Sequence, residues 1–261
     1  CHTPPRWLYG YQTSMNWQKY WPVRVYGTII SHFMRLYDFR QAQKVKYFIA
    51  NSEEVKKRIW KFYRREATVI YPPVDLPHFV GGYVRGKQNY YLIVSRLVGG
   101  KGIELGIAAA KKYGFKLKIV GEGPHFVPTS SRLRGASRGK PVEFLGEVSD
   151  HELVKLYSQA KGFLALSRDE DFGITPVEAM SCGTPVVAFY GGGYKETVID
   201  GKTGVFFRNY STAGLWQAMK KFKNLNYQTL QKNCLEQAKK FSKERFKQEI
   251  REFVARHSPG K

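Results

Sequence analysis

The chain has 261 residues, 43% of them hydrophobic and 15% aromatic, a composition that folds around one large core or two modest ones and is not that of a disordered chain. Its charge is lopsided: 43 Lys and Arg against 21 Asp and Glu leave +22. Such a surface attracts anions, whether nucleotides, nucleic acid or acidic lipid headgroups, or is simply a basic solvated one. No apolar run is long enough to span a membrane. Cys1, Cys182 and Cys234 form no CxxC pair, and the six His do not pair at metal-ligand spacing, so neither a metal site nor a disulfide framework is read and a reducing cytoplasm fits. The opening Cys1-His2-Thr3-Pro4-Pro5-Arg6 lacks the basic start and apolar stretch of a signal peptide, and no Met opens the chain, which therefore reads as a fragment.

In chain order, residues 26–47 carry Ile29, Ile30, Phe33, Leu36 and Tyr37 at helical spacing, on a pattern that suits core packing. Lys46 to Ala50 is a short apolar run that reads as a buried strand, and Asn51 or Ser52 then caps a helix through Trp60. Thr68 to Tyr71 is a second short strand, stopped by Pro72-Pro73. The Pro- and Gly-rich stretch that follows reads as an interdomain linker over residues 76–88. Beyond it strands alternate with helices. Strands are predicted at 90–95, 116–120, 142–145, 162–166, 185–189 and 204–207. Helices are predicted at 102–113, 150–159 and 175–181, and from Ser211 onward. The final charged stretch, 227–256, is helical and too long for one compact turn. This alternation predicts an α/β fold with a parallel sheet covered on both faces. Ligands of such sheets bind beyond the carboxyl ends of the strands, which directs attention to the residues after Ser95, Val120, Leu145, Leu166 and Phe189.

After Ser95, the segment Arg96 to Gly102 places Arg96 and Lys101 five residues apart across a glycine-bearing turn at a helix start. Fixed cations, free N–H groups and a helix N-terminus suit a diphosphate; a basic surface loop would look the same. After Val120, Gly121-Glu122-Gly123-Pro124 either lets a ligand approach backbone closely or forms an ordinary tight turn. After Leu166, four acids lie between Asp169 and Glu178, with Thr175 read as the cap of a helix and Pro176 as its first residue. Glu170 would precede that helix and Glu178 lie one turn inside it, so two carboxylates could accept hydroxyls at separate points of a sugar nucleotide. Acids near a helix start also simply complement its dipole. Gly191-Gly192-Gly193 permits backbone access to a ligand or merely a flexible turn. Neither a nucleophile elbow nor a GxxxxGK[ST] loop is present.

Taken in this order the pieces resemble the retaining glycosyltransferases of family 4, from the first residues to about residue 210. The Glu170–Glu178 pair is similar to that family's ExxxxxxxE motif, continued by Ala179 to Ala188, and Arg96 with Lys101 resembles its diphosphate-binding pair. Phe144 to Val148 with Glu152-Leu153 resembles the segment that holds the base. Cys1 to Arg6 and Ile70 to Asp75 resemble stretches of bacterial mannosyltransferase-type members.

The resemblance implies a GT-B architecture. It divides the chain into a partial, acceptor-side N-terminal domain over 1–75, the linker, a nucleotide-sugar-binding Rossmann-like domain over 89–240, and a helix over 241–261 crossing back to the first domain. It implies Arg96, Lys101 and Glu170 as catalytic residues. The cations would neutralise the leaving nucleoside diphosphate and Glu170 would hold sugar hydroxyls. Donor binding would fall to His2, Gly121, Val148, Phe172, Gly173, Ile174 and Glu178, the last through the ribose. No cofactor and no metal is expected, since protein cations take that part. Retention would proceed by front-face attack.

The expected activity is transfer of a hexose, mannose among the candidates, to a saccharide or lipid-linked acceptor in polysaccharide biosynthesis. The setting would be cytoplasmic, with contact at an anionic inner membrane face and no nucleic acid as partner. With only the second half of the first domain, the chain would bind donor but transfer sugar poorly. Two other readings stand beside this one: another GT-B sugar-nucleotide enzyme such as an epimerase, and a basic nucleic-acid-binding protein.

Overall fold

The structure, a computed structural model, describes residues 1–11, 20–75, 88–123 and 141–258. The predicted linker therefore lies, but for Gln88, outside the described residues, as do Pro124 and residues 259–261.

The larger part of the chain is built on six strands: β3 (Tyr91–Val94), β4 (Leu117–Val120), β5 (Val142–Gly146), β6 (Gly162–Ala165), β7 (Val186–Phe189) and β8 (Gly204–Phe207). They form one wholly parallel sheet in the order β5-β4-β3-β6-β7-β8. Parallel strands buried on both faces read as continuous apolar runs, which is why Tyr91-Leu92-Ile93-Val94 and Gly162-Phe163-Leu164-Ala165 carry no polar alternation.

Successive residues still face opposite ways. Tyr91, Ile93, Leu117, Ile119, Val187 and Val205 join a core with α3 (Ile103–Tyr113) and α7 (Thr212–Lys223). Leu92, Phe163, Ala165, Val186 and Ala188 join a second with α4 (Asp150–Gln159), α5 (Ile174–Ser181) and α8 (Tyr227–Lys239). A single-turn helix, α6 (Tyr194–Thr197), follows β7. The chain winds outward from β3 to β4 and β5, then returns to β6 beside β3 and continues to β8. The reversal leaves a crevice between the carboxyl ends of β3 and β6, where open α/β sheets take their ligands.

The first 75 residues hold α1 (Trp21–Lys44), β1 (Ile49–Ala50), α2 (Glu53–Tyr63) and β2 (Thr68–Val69). β1 and β2 pair in parallel, and a small core of Ala42, Ala50, Val55, Ile59, Tyr63 and Ala67 closes over them. Of the two candidate caps of α2, Ser52 is the one used: its Oγ accepts from Val55 N–H at 3.0 Å. Two predictions need correction here. The strand starts at Ile49, because Lys46 to Phe48 is irregular. The helix expected from Tyr26 starts at Trp21, and the face expected in a core is exposed, with Ile29 at 54%, Phe33 at 63% and Tyr37 at 61%. Apolar side chains run all the way round α1, while the small core takes up only Ala42 from it.

The helical C-terminus is broken where Ser242 caps α9 (Lys243–His257) through Arg245 N–H at 3.3 Å. Ser149, Ser211 and Asn226 cap α4, α7 and α8 in the same way, each cap contributing about 1 kcal/mol. From α9, Arg245 donates to Tyr71 O at 2.7 Å, and Phe253 and His257 lie against the Tyr47 ring. Val74 bridges to Ser242, and its N–H donates to Phe241 O at 2.8 Å, so the chain remains tied down through Val74.

Candidate functional site

A cleft of about 420 Å³ opens at the reversal between β3 and β6. Its floor is the strand ends, Ile93 to Ser95 and Phe163 to Leu166. One wall is Arg96 and Lys101, another Glu170 to Thr175 with Tyr194, and the opposite rim is His2, Asn51 and Pro72 from the first 75 residues. The sequence-predicted residues Arg96, Lys101, Glu170, Phe172, Gly173, Ile174 and His2 are thus brought to one cavity.

Lys101 reaches the cleft from the turn before α3. Gly102, the N-cap of that helix, has φ of +73°, and a Cβ there would sit 2.3 Å from Leu166 O. Only glycine lets the turn pack this closely on the end of β6. Lys101 Nζ then donates to both carboxylate oxygens of Glu170, at 3.1 and 2.9 Å, with the two side chains 25% and 17% exposed. The Tyr194 hydroxyl donates to Glu170 Oε2 at 3.3 Å. Burial and the neighbouring Glu170 charge push the Tyr194 phenol well above its ordinary pKa, so it serves as a donor throughout the physiological range. Arg96 stands exposed at the lip, free of the strand ladder. The result is a half-dry groove with two cations on one side and a fixed carboxylate facing them.

The remaining predicted residues lie elsewhere. Gly121, Val148 and Glu178 do not line the cleft. Gly121 N–H donates to Gly146 O at 2.7 Å, tying the ends of β4 and β5, and Val148 packs on the core beneath α4. Glu178 accepts from the buried Tyr157 hydroxyl at 2.8 Å. Burial raises its pKa and the charge of Asp150 adds to that, while the Tyr157 hydroxyl opposes both. The spacing therefore puts Glu170 in the cleft and turns Glu178 toward α4. The start of α5 also differs from prediction: Gly173, at φ of +91°, is the N-cap, and Thr175 and Pro176 lie inside the first turn. Proline is tolerated there because first-turn N–H groups have no partner within the helix.

Sequence reasoning missed Asn51, Pro72 and Tyr194 as lining residues, and it missed a set of ion pairs around Asp171. Asp171 was legible only as one acid among four; Arg6 and Arg58 carry no local signal. Among the described residues no group of three His, Cys, Asp or Glu could hold a metal ion, and no helix is long and apolar enough to cross a membrane. A second hollow of about 620 Å³ lies at the opposite, amino ends of β3 to β5, with Lys118 there paired to Glu143 at 3.7 Å. It lies away from the carboxyl ends of the strands, where open parallel sheets take their ligands.

Comparisons with known proteins bear on the fold and the family. A glycosyltransferase of Methanocaldococcus jannaschii is 29% identical over 195 residues, 75% of this chain and 54% of its own. The O-antigen chain mannosyltransferase of Salmonella typhimurium is 33% identical over 151 residues, 56% of this chain and 42% of its own. The chain thus spans about half the length of these curated relatives. Among solved structures, a sucrose-phosphate synthase from Thermosynechococcus elongatus superposes with a TM-score of 0.77 at 23% identity, covering 86% of this chain and 61% of that one. Anabaena HepE in complex with UDP and glucose gives 0.73 at 22%, covering 89% and 74%. Both superpositions concern the fold, which is that of GT-B glycosyltransferases. Residues 82–241, more than half of the chain, match the family described as glycosyl transferases group 1, and the protein belongs to that family.

Proposed function

We propose that the chain binds a nucleoside-diphosphate sugar in the cleft between β3 and β6 and serves in transfer of its hexose, with retention of configuration, to a saccharide or lipid-linked acceptor. The observation that carries this is the Lys101–Glu170 pair at the sheet's reversal point, with Arg96 beside it. Bond cleavage loads negative charge onto the departing diphosphate, and preorganised cations in a partly dry site lower that barrier most. Lys101, held by Glu170, and Arg96 at the lip beside it support that reading. Without ligand, Lys101 and Glu170 satisfy each other; with donor, Lys101 turns to phosphate and Glu170 to sugar hydroxyls, so neither charge is left unpaired. Backbone N–H groups at the start of α5 reinforce the anion site, and His2 faces the sugar from across the cleft; Glu178, turned to Tyr157 outside the cleft, takes ribose hydroxyls only from a ligand that extends past the cleft toward α4. With front-face attack, the leaving phosphate accepts the acceptor's proton, and no protein base, cofactor or metal is needed.

Mannose is the favoured sugar, supported by the likeness to the Salmonella mannosyltransferase; guanosine as the base rests on the sequence resemblance, and the UDP seen in Anabaena HepE keeps uridine in view. The net charge of +22 favours work beside an anionic membrane.

Calorimetric titration with GDP, UDP and their sugar conjugates tests the reading, beside Arg96→Ala and Glu178→Ala. One nucleotide family should bind saturably, and both substitutions should abolish it. At about a hundred times its dissociation constant, the ligand should add about 2.7 kcal/mol of stability. A well-folded wild-type chain that binds none of them overturns the proposal.

A further inference from the structure

The loop that carries Glu170 into the cleft is gripped, on either side of that residue, by the first 75 residues. Asp171 Oδ1 accepts from Arg6 Nη2 at 2.7 Å and from Arg58 Nη1 at 2.6 Å. Arg6 also donates to Asp169 O at 2.7 Å, and Ser52 Oγ donates to Asp171 O at 2.5 Å. The Arg58 side chain is only 3% exposed. Its other partners are Thr3 Oγ1 at 3.2 Å, Glu54 at 3.5 Å and the face of the Tyr11 ring at 4.4 Å. A second contact lies alongside: the Glu196 carboxylate accepts from the N–H groups of Glu53 and Glu54, at 2.7 and 3.0 Å, capping the N-terminus of α2 from the other lobe.

The residues that make these contacts alternate in sequence with those that line the cleft. Thr3 follows His2, Ser52 follows Asn51, and Asp169 and Asp171 flank Glu170, Asp171 itself also bordering the cleft. The ion pairs therefore fix the separation of the two rims. An arginine this buried depends on its carboxylates, Asp171 at 2.6 Å and Glu54 at 3.5 Å, and loss of the nearer one leaves a buried charge underpaired until water reaches it. Here water reaches Arg58 when the lobes part.

We propose that Asp171 is a positioning residue: shared between Arg6 and Arg58, it holds His2 and Asn51 over Glu170 and so decides whether the cleft closes on the sugar end of its ligand. This rests on the reading of the cleft as a nucleotide-sugar site. The nucleoside diphosphate would meet Arg96 and Lys101 on the second lobe alone, whereas the sugar needs both rims. Loss of the clamp should therefore separate the two parts of the ligand.

The test is calorimetry on the full chain with the nucleoside diphosphate and with its sugar conjugate, for wild type, Asp171→Asn, Arg58→Gln and the double variant, each first shown to be folded by circular dichroism. In Asp171→Asn the advantage of the conjugate over the bare diphosphate should fall by about tenfold, diphosphate affinity should stay within about twofold, and the second substitution should add little. An unchanged advantage, or equal weakening of both ligands, overturns the proposal. A readout independent of nucleotide comes from spin labels at the exposed positions Lys57 and Lys220, in a chain carrying Cys1→Ser. Their distance distribution should be narrow in the otherwise unaltered chain and broad in Asp171→Asn. Unchanged width overturns the clamp even if the chain binds no nucleotide, and a wild type that binds none while Asp171→Asn broadens the distribution condemns only the functional reading.

Discussion

Replacing Tyr157 by Phe removes one oxygen from a ring that is fully buried and leaves its packing on Phe163, 5.8 Å between centroids, in place. What it removes is the donor 2.8 Å from the Glu178 carboxylate. A hydrogen bond to a charged group is worth about 1.5–3 kcal/mol, and that is the largest loss expected at about pH 7, reached where Glu178 is ionised. The pH dependence follows from the direction of the Glu178 shift. Burial holds its folded pKa above the ordinary 4.5, and the Tyr157 hydroxyl pulls it back down. A carboxyl with a raised folded pKa favours folding below the unfolded value and loses that contribution as pH rises through the folded pKa. Without the hydroxyl the folded pKa climbs further, so the variant's deficit grows as pH rises through the wild-type folded pKa and is full once both folded forms are ionised. Near pH 4 the carboxyl is neutral in both proteins and the deficit should shrink to that of an ordinary hydrogen bond, about 1 kcal/mol. Urea unfolding at the two pH values, with m unchanged, measures it. An equal deficit at both, or none at neutral pH, would refute the reasoning.

Two further substitutions probe the frame of the cleft. Gly102→Ala forces a side chain into a left-handed backbone and 2.3 Å from Leu166 O; the conformation alone costs about 1–2 kcal/mol, so thermal unfolding should show a total loss of at least about 2 kcal/mol. Phe172→Ala empties a ring that is 2% exposed and lies between Tyr71, at 5.6 Å, and Phe241, at 5.4 Å. A loss of about 3–5 kcal/mol by urea unfolding is expected, and one below about 1 kcal/mol would mean that the three rings do not share a core.

The sequence made the sheet legible because its signal is local. Buried parallel strands are short unbroken apolar runs; five of the six predicted runs contain the strand observed, and the sixth, 142–145, stops one residue short of Gly146. Helix starts were legible where a Ser or Asn supplies the cap, as at Ser211, and misread at α5, where a glycine's backbone conformation does that work. The cations and Glu170 could be placed together because each immediately follows a strand of a parallel sheet, and such ends converge. Three things had no local signature. The strand order, which decides that β3 and β6 rather than β4 and β5 form the crevice, depends on pairing between distant segments. The direction of Glu178 depends on Tyr157, in another helix. The partners of Asp171 lie 165 and 113 residues away, and charge alone could not select Arg6 and Arg58 from 43 cations.

The glycines after β7 show how far such long-range packing changes a reading. Three in succession suit close approach of a ligand or a flexible turn, yet protein already fills the space beside them. A Cβ on Gly192, where φ is +54°, would lie 2.1 Å from Glu170 O, and one on Gly193 would lie 2.5 Å from Phe172 Cα. Gly193 N–H donates to Glu170 O at 2.9 Å. These glycines are therefore the bed on which the Glu170 loop rests. Backbone supports that residue from below, Tyr194 and Lys101 hold its carboxylate, and Arg6 and Arg58 hold the next residue from across the cleft. In the proposed complex, a carboxylate so constrained loses little freedom when a ligand replaces Lys101 as its partner. Preorganisation of that kind is what lets a binding group contribute to affinity without a large ordering cost.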